Sequence, residues 1–125
     1  ALGASAAQLG TAFVATDESL ADAGYRKLLA SDAAYATVMT RVISGRLARS
    51  LANRFTGFGA DVPDDVVPDY PITYDAGKAL NAAGRAVGEA GYGAHWAGQG
   101  APLARAMSSQ ALMQALIDEL RHASA

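Results

Sequence analysis

Residues 6–14 constrain the fold more than any other stretch, because they are apolar on both alternating faces except at Gln8 and Thr11. A strand with two apolar faces is typical of a parallel sheet that helices cover on both sides. The run therefore predicts a buried β-strand in an α/β protein, and its two polar side chains need hydrogen-bond partners.

The Gly10-Thr11 pair in this run is suited to binding an anion. A glycine lets the backbone approach a phosphate without a Cβ in the way, and a threonine adds a hydroxyl beside its amide. The other interpretation is a glycine that only lets a strand bend. For a single Gly-Thr pair taken alone, the second interpretation is the more common one.

Hydrophobic periodicity and turn residues divide the rest of the chain. A β-branched run predicts a second strand at 36–43. Segment 57–71, with three of the four prolines, and the glycine-rich segment 91–100 are predicted loops. The chain should therefore hold more helix than strand. The predicted helices are 16–30 with a ragged start, 46–55, 75–90 and 109–122.

Charge and cysteine content exclude several classes of function. Ten basic and twelve acidic residues give a net charge of −2 without a basic stripe, so we expect no nucleic acid or anionic membrane surface as partner. The absence of cysteine excludes disulfides and thiolate metal sites. No run is long enough to span a bilayer, and no spacing of residues predicts a metal site.

Three motifs, in order along the chain, resemble the nitronate monooxygenases, once called 2-nitropropane dioxygenases, which are FMN-dependent (β/α)8 TIM barrels. The first resembles the last barrel strand of that family. Together the motifs cover nearly the whole chain. They are GAxxxQxGTxF at 3–13, TRxxSGRxARxxxN at 40–53 and WAGQG at 96–100.

The resemblance implies that the chain is the C-terminal portion of a (β/α)8 barrel with an added, mostly helical segment. A complete barrel needs roughly 200 residues or more, and the chain has 125. Residues 1–30 would form the last barrel strand and helix, and residues 31–125 an α-rich insertion and the C-terminal helices. As an isolated chain it should be helix-rich with one or two short strands, and its main partner would be the remainder of its own barrel.

The resemblance also implies the function: FMN-dependent oxidation of alkyl nitronates by molecular oxygen to a carbonyl compound and nitrite, in the cytoplasm. Gly10 and Thr11 would bind the FMN phosphate. The side-chain amide of Gln8 would form its hydrogen bonds either within the barrel or with the phosphate or ribityl chain of FMN. Gly98 and Gln99 would line the flavin site. The family's proton-abstracting histidine lies on an earlier strand, so this chain would supply no catalytic base and should be inactive alone.

The remaining charged residues are interpreted as structural. Arg41, Arg46 and Arg49, beside the Ser44-Gly45 turn, suggest an anion site, but solvated or salt-bridged arginines are more common. His95 and His122 are the only candidates for proton transfer near neutral pH. Both are interpreted as surface groups, and His122 is predicted near a helix C-terminus, where a cation is favoured.

Two other functions stay open on the sequence. The FMN-dependent enoyl-acyl-carrier-protein reductases have a similar Gly-Thr strand, and a non-catalytic α-rich interaction module would use exposed apolar faces to bind a partner. Bound flavin separates the enzymes from the interaction module. Activity on a nitronate, against NAD(P)H oxidation with an enoyl thioester, separates the two enzymes.

Overall fold

A computed structural model describes residues 3–124 as five α-helices, two β-strands and three short 3₁₀ turns. The predicted excess of helix over strand is confirmed for this part of the chain. The helices are α1 (Thr11–Val14), α2 (Ala23–Leu29), α3 (Arg54–Phe58), α4 (Ile72–Ala86) and α5 (Ser109–Ser124), and the strands are β1 (Thr37–Thr40) and β2 (Ala48–Leu51).

The two strands form an antiparallel hairpin in which Val38 lies opposite Ser50. Strand β1 lies inside the predicted strand at 36–43. The helix predicted at 46–55 is wrong, because its first part is β2 and helical structure begins only where Asn53 caps α3. A β-branched strand needs a partner for its backbone groups, and the segment after the turn supplies it. Pairing with β1 outweighs the helical spacing of the leucines.

The strand predicted at 6–14 is also wrong for the described chain. Residues 3–10 are exposed and form no regular element, and α1 begins at Thr11 with Gly10 as its N-terminal cap. A strand is stable only where neighbouring strands satisfy its N–H and C=O groups. In residues 3–124 the two strands pair with each other, so this run has no strand beside it.

The two long predicted helices are confirmed with shifted ends. Helix α4 begins three residues before the predicted 75, and α5 starts where Ser108 Oγ accepts a hydrogen bond from the Ala111 N–H at 3.2 Å. Helix α4 packs closely on the turn after β1, since a Cβ at Gly77 would stand 2.9 Å from the Ile43 carbonyl oxygen. In residues 3–124 no helix is long and apolar enough to cross a membrane.

One apolar cluster joins parts of the chain that are distant in sequence. It places the segment 97–104 against α1 and α2, which lie more than 60 positions earlier in the sequence. Burial of such side chains is the main favourable term in folding. The buried members are Leu29, Ala34, Leu51, Ala97 and Ala101, with Val14, Ala15, Tyr25, Leu28 and Ala104 packed against them.

Candidate functional site

A cleft of about 540 Å³ lies where the start of α1 meets α5 and the segment 98–105. Four of the five predicted cofactor-binding residues line it, namely Gln8, Gly10, Thr11 and Gly98, whereas Gln99 lies in an exposed turn outside the lining. This volume is typical of small-molecule sites. The remaining walls are largely apolar and include Leu9, Leu103, Ala104, Leu112 and Leu116.

A hydrogen bond across the cleft joins two of the sequence motifs. The Gly98 N–H donates to Thr11 Oγ1 at 2.9 Å, and the two residues are 87 positions apart. Because the threonine oxygen accepts this bond, its own hydroxyl hydrogen stays available to donate elsewhere. Thr11 therefore fixes the position of Gly98 and can still bind an acceptor oxygen.

The backbone at Gly10 is accessible to a ligand. A Cβ built at Gly10 would meet no atom within 4 Å, and Gly10 caps α1 without a side-chain hydrogen bond. The first amides of a helix have no acceptor within the helix. Free amides, a hydroxyl donor at Thr11 and open space beside a glycine fit an anionic group such as a phosphate.

A salt bridge closes one side of the cleft. Arg105 Nη1 lies 2.7 Å from Glu119 Oε1, and Nη2 lies 3.3 Å from the other carboxylate oxygen. Both side chains are partly exposed, so the pair contributes at most about 1 kcal/mol to stability. A phosphate in the cleft would compete with Glu119 for this guanidinium.

Gly98 is held in place by a short extension of the β-hairpin. The Leu51 N–H donates to the His95 carbonyl oxygen at 2.9 Å, and the Ala97 N–H donates to the Arg49 carbonyl oxygen at 3.1 Å. The segment 95–97 thus pairs with the free edge of β2. This pairing fixes the position of the backbone directly before Gly98, beside the cleft.

His95 is buried, so the prediction that it is a surface group is wrong. Only 4% of its surface is exposed, because pairing with β2 turns the side chain inward against the Tyr25 ring at 4.8 Å. Burial lowers the pKa of His95 and outweighs the opposing attraction of the Asp22 carboxylate. The sequence carried no signal for this burial, because it depends on the pairing of residues 95–97 with the distant strand β2.

A second, smaller cavity of about 230 Å³ lies beside His95, and sequence reasoning missed it. It is lined by polar and aromatic side chains from α2, α4 and the segment before His95. Burial raises the pKa of Tyr25 to about 12, so this phenol stays protonated. The polar lining comprises Asp22, Tyr25, Tyr74, Lys78, Asn81, Tyr92 and His95.

The prediction that His122 is a surface group is confirmed. His122 is exposed near the end of α5, where its Nδ1 lies 2.6 Å from the Asp118 carbonyl oxygen. The three arginines contact protein groups, as a structural role requires. Arg41 Nη2 lies 3.4 Å from Asp69 Oδ1, Arg46 lies over the Tyr70 ring at 4.7 Å, and Arg49 Nη1 donates to Thr37 Oγ1 at 3.2 Å.

No group of three or more histidine, aspartate or glutamate side chains in residues 3–124 could hold a metal ion.

Comparison with known proteins places this geometry in a family. The family model described as nitronate monooxygenase matches residues 1–119. A nitronate monooxygenase of Paraburkholderia phytofirmans is 58% identical over 97% of this chain, and one of Pseudomonas aeruginosa is 49% identical over 96%. The chain spans about a third of the length of these curated relatives, 33% and 34% respectively.

A solved structure supports the same conclusion for the fold. Nitroalkane oxidase from Streptomyces ansochromogenes superimposes with a TM-score of 0.83 at 39% identity, covering 95% of this chain and 33% of that protein. The predicted fold class, a portion of a (β/α)8 barrel that is helix-rich as an isolated chain, is confirmed by this match together with the five helices and two short strands.

Proposed function

The chain belongs to the nitronate monooxygenase family, and from that premise we propose that it supplies part of the cofactor site of an FMN-dependent enzyme that oxidises alkyl nitronates with molecular oxygen. The products are a carbonyl compound and nitrite. The observation that carries the proposal is the Thr11–Gly98 hydrogen bond, which unites two distant motifs at the wall of one cleft.

Each cleft residue has a defined part in this proposal. The amides of Gly10 and Thr11 and the Thr11 hydroxyl bind the phosphate, because adjacent backbone N–H groups and a hydroxyl beside a glycine are donors that suit an anion. The Gln8 amide binds the ribityl chain or the same phosphate. Gly98 lets the backbone lie close to the flavin, and Gln99 contacts the cofactor from the rim of the cleft.

When bound, FMN supplies the electron-transfer chemistry of the reaction. The chain's own residues bind and orient the cofactor, and the apolar side chains of Leu112, which is buried, and Leu116, which is half-buried, keep water from the α5 wall of the cleft. Neither His95 nor His122 lines the cleft. The group that abstracts the substrate proton is therefore assigned to a part of the enzyme outside this chain.

The exposed N-terminal segment supports a larger barrel around this chain. Leu9 is 49% exposed although it lies in an apolar run. We assign residues 1–30 to the last barrel strand and its helix, and residues 31–125 to the α-rich insertion and C-terminal helices. In a cytoplasmic enzyme of this kind, neighbouring strands would pair with residues 6–10 and cover their apolar side chains.

The test uses the complete protein that carries this chain. Stoichiometric FMN after desalting, with oxygen uptake and nitrite release on addition of an alkyl nitronate, is the expected result. If the protein binds flavin but oxidises NAD(P)H in the presence of an enoyl thioester, the function is that of the enoyl-acyl-carrier-protein reductase. A protein without flavin would overturn the proposal.

A further inference from the structure

We propose that Asn53 and His95 are positioning residues for the cofactor cleft: together they hold the segment 93–98 in the register that presents Gly98 to Thr11. Neither side chain lines the cleft. The inference rests on the proposed function only in taking FMN as the ligand. Its structural part, which concerns the position of Gly98, stands on hydrogen bonds within the chain.

Asn53 connects the start of α3 to the segment that leads to the cleft. Its Oδ1 accepts from the Thr56 N–H at 3.0 Å and so caps the helix. Its Nδ2 donates to the Gly93 carbonyl oxygen at 2.9 Å and lies 3.0 Å from His95 Nδ1. One side-chain amide therefore serves both as a helix cap and as a clamp.

These contacts fix the orientation of the Asn53 amide and the tautomer of His95. A flipped amide would place its NH₂ against the Thr56 N–H and its oxygen against the Gly93 carbonyl, and both contacts would be repulsive. The NH₂ group can only donate, so His95 Nδ1 must accept. The imidazole proton is then on Nε2, which is buried without a hydrogen-bond partner.

The clamp reaches the cleft through three residues of paired backbone. The His95 carbonyl oxygen accepts from the Leu51 N–H and from Ser50 Oγ at 3.0 Å. Three positions further on, the Gly98 N–H donates to Thr11. A shift of the segment by one residue would turn each side chain to the other face and would separate Gly98 from Thr11.

Protonation of His95 would break the clamp, because Nδ1 would then carry a hydrogen that faces the NH₂ of Asn53. Burial opposes this protonation and lowers the pKa of His95, while the Asp22 carboxylate favours it. The positive groups that line the two cavities beside His95 are Lys27 on α2, Arg54 on α3 and Lys78 on α4, and two of them are paired, Arg54 with Glu89 and Lys78 with Asp75. The neighbouring phenols are Tyr25, Tyr74 and Tyr92.

The first test replaces Asn53 with aspartate in the complete protein. Asn53→Asp keeps the oxygen that caps α3 and removes the donor to Gly93 and His95. We expect the Kd for FMN at pH 7.5 to rise about tenfold, as for the loss of one hydrogen bond that leaves a buried group unpaired. The new carboxylate pairs with a protonated imidazole, so FMN binding by this variant should improve as the pH falls toward about 5.5.

The matched control is His95→Asn, whose Oδ1 can accept from Asn53 Nδ2 in place of Nδ1 and does not titrate. Its Kd for FMN at pH 7.5 should stay close to that of the unaltered protein. Its remaining pH dependence should be that of the FMN phosphate, with a second pKa of about 6. The unaltered protein should lose FMN affinity more steeply than this control below the usual histidine pKa of 6.5.

A readout without flavin keeps the inference separate from the proposed function. Amide hydrogen exchange of Gly98, measured by NMR, should be about tenfold faster in Asn53→Asp and unchanged in His95→Asn, since it reports the bond to Thr11. Nitrogen chemical shifts of His95 should show the Nε2–H tautomer in the unaltered protein. This measurement needs no variant to fold.

The possible results separate two failures. If the unaltered protein binds no FMN, the proposed function is overturned. The amide hydrogen exchange of Gly98 would still show whether Asn53 and His95 hold the segment 93–98 in place. Unchanged Gly98 exchange and superimposable FMN pH profiles in Asn53→Asp would overturn the positioning role. An Nδ1–H tautomer of His95 would overturn it too.

Discussion

The β2 edge has pairing partners within the described residues 3–124, whereas the segment 3–10 has no strand beside it there. The sequence pattern was misleading in both regions. Residues 46–55 have the leucine spacing of a helix, but they contain strand β2. Residues 6–14 have the pattern of a strand, but they are irregular up to residue 10 and helical from Thr11. At the β2 edge, β1 and residues 95–97 satisfy the backbone. The difference shows that a pairing partner decides strand formation more than local propensity does.

This difference divides the candidate site into two halves of unequal stability. Gly98 extends from buried, hydrogen-bonded backbone, whereas Gln8 and Gly10 lie in an exposed segment. Segments with few buried contacts open locally at low free-energy cost. The half that carries the proposed phosphate donors should therefore depend on the rest of the barrel for its order.

The largest expected effect comes from removing that support. We predict that the 125-residue chain alone retains no FMN after desalting and does not take up oxygen with an alkyl nitronate. Two or three donors on an unsupported segment cannot offset the cost of ordering the ligand and the segment together. Absorbance of bound flavin and an oxygen electrode make the measurement.

The complete protein is the control for this experiment. It should hold about one FMN per chain under the same conditions. Stoichiometric flavin and turnover in the short chain would show that residues 3–10 become ordered without the rest of the barrel. The proposed difference in stability between the segment 3–10 and the β2 edge would then be wrong.

The second prediction compares two leucines, one from each region. Leu51 has 0% exposure, so Leu51→Ala should lower the free energy of unfolding of the chain by about 3 kcal/mol. Leu9 is 49% exposed, and Leu9→Ala should change it by less than about 0.5 kcal/mol. Urea unfolding followed by circular dichroism measures both.

The same pair of variants in the complete protein sharpens the comparison. If barrel strands cover the segment, Leu9→Ala should become clearly destabilising there, while the cost of Leu51→Ala should change little. Equal effects of Leu9→Ala in the two settings would contradict the proposed pairing of residues 6–10.

The predictability of the molecule follows the same division. Helices α4 and α5 were predictable because periodic apolar faces and the cap at Ser108 are local signals. Strand β2 was not, because it depends on β1 and on residues 95–97. The cleft residues were found through motif resemblance, whereas burial of His95 results from long-range pairing that one sequence does not display.

The third prediction tests the exposed half of the cleft directly. Gly10→Val should weaken FMN binding by the complete protein about 5- to 150-fold, because overpacking at the proposed phosphate position would cost about 1–3 kcal/mol. The fold should tolerate the change, since a Cβ at Gly10 meets no atom within 4 Å. Fluorescence titration with FMN gives the affinity.

Gly57→Val is the matched control for this variant. Gly57 is also exposed, and a Cβ there likewise meets nothing within 4 Å, but it lies on α3 away from the cleft. FMN affinity should be unchanged in this control. Equal affinity in both variants would remove Gly10 from the phosphate site.

The smallest expected effect concerns the contact that joins the N-terminal part of the chain to α5. Glu18 Oε2 accepts a hydrogen bond from the Ser109 N–H at 2.8 Å, at the start of the helix. This bond, helped by the helix start, lowers the pKa of Glu18 below its usual 4.5. Because the side chain is exposed, we expect Glu18→Gln to reduce stability only slightly at pH 7.

The pH dependence of this variant identifies the charge as the cause. A carboxylate whose pKa is lower in the folded than in the unfolded state contributes stability fully above 4.5 and loses it as the pH falls through the folded value. Unfolding curves of Glu18→Gln and the unaltered chain should therefore differ at pH 7 and converge well below pH 4.5. The control is Asp17→Asn, which removes the same charge one residue away and should leave the hydrogen bond between Glu18 and Ser109 intact. An equal loss of stability in both variants would mean that net charge, and not this bond to α5, is the cause.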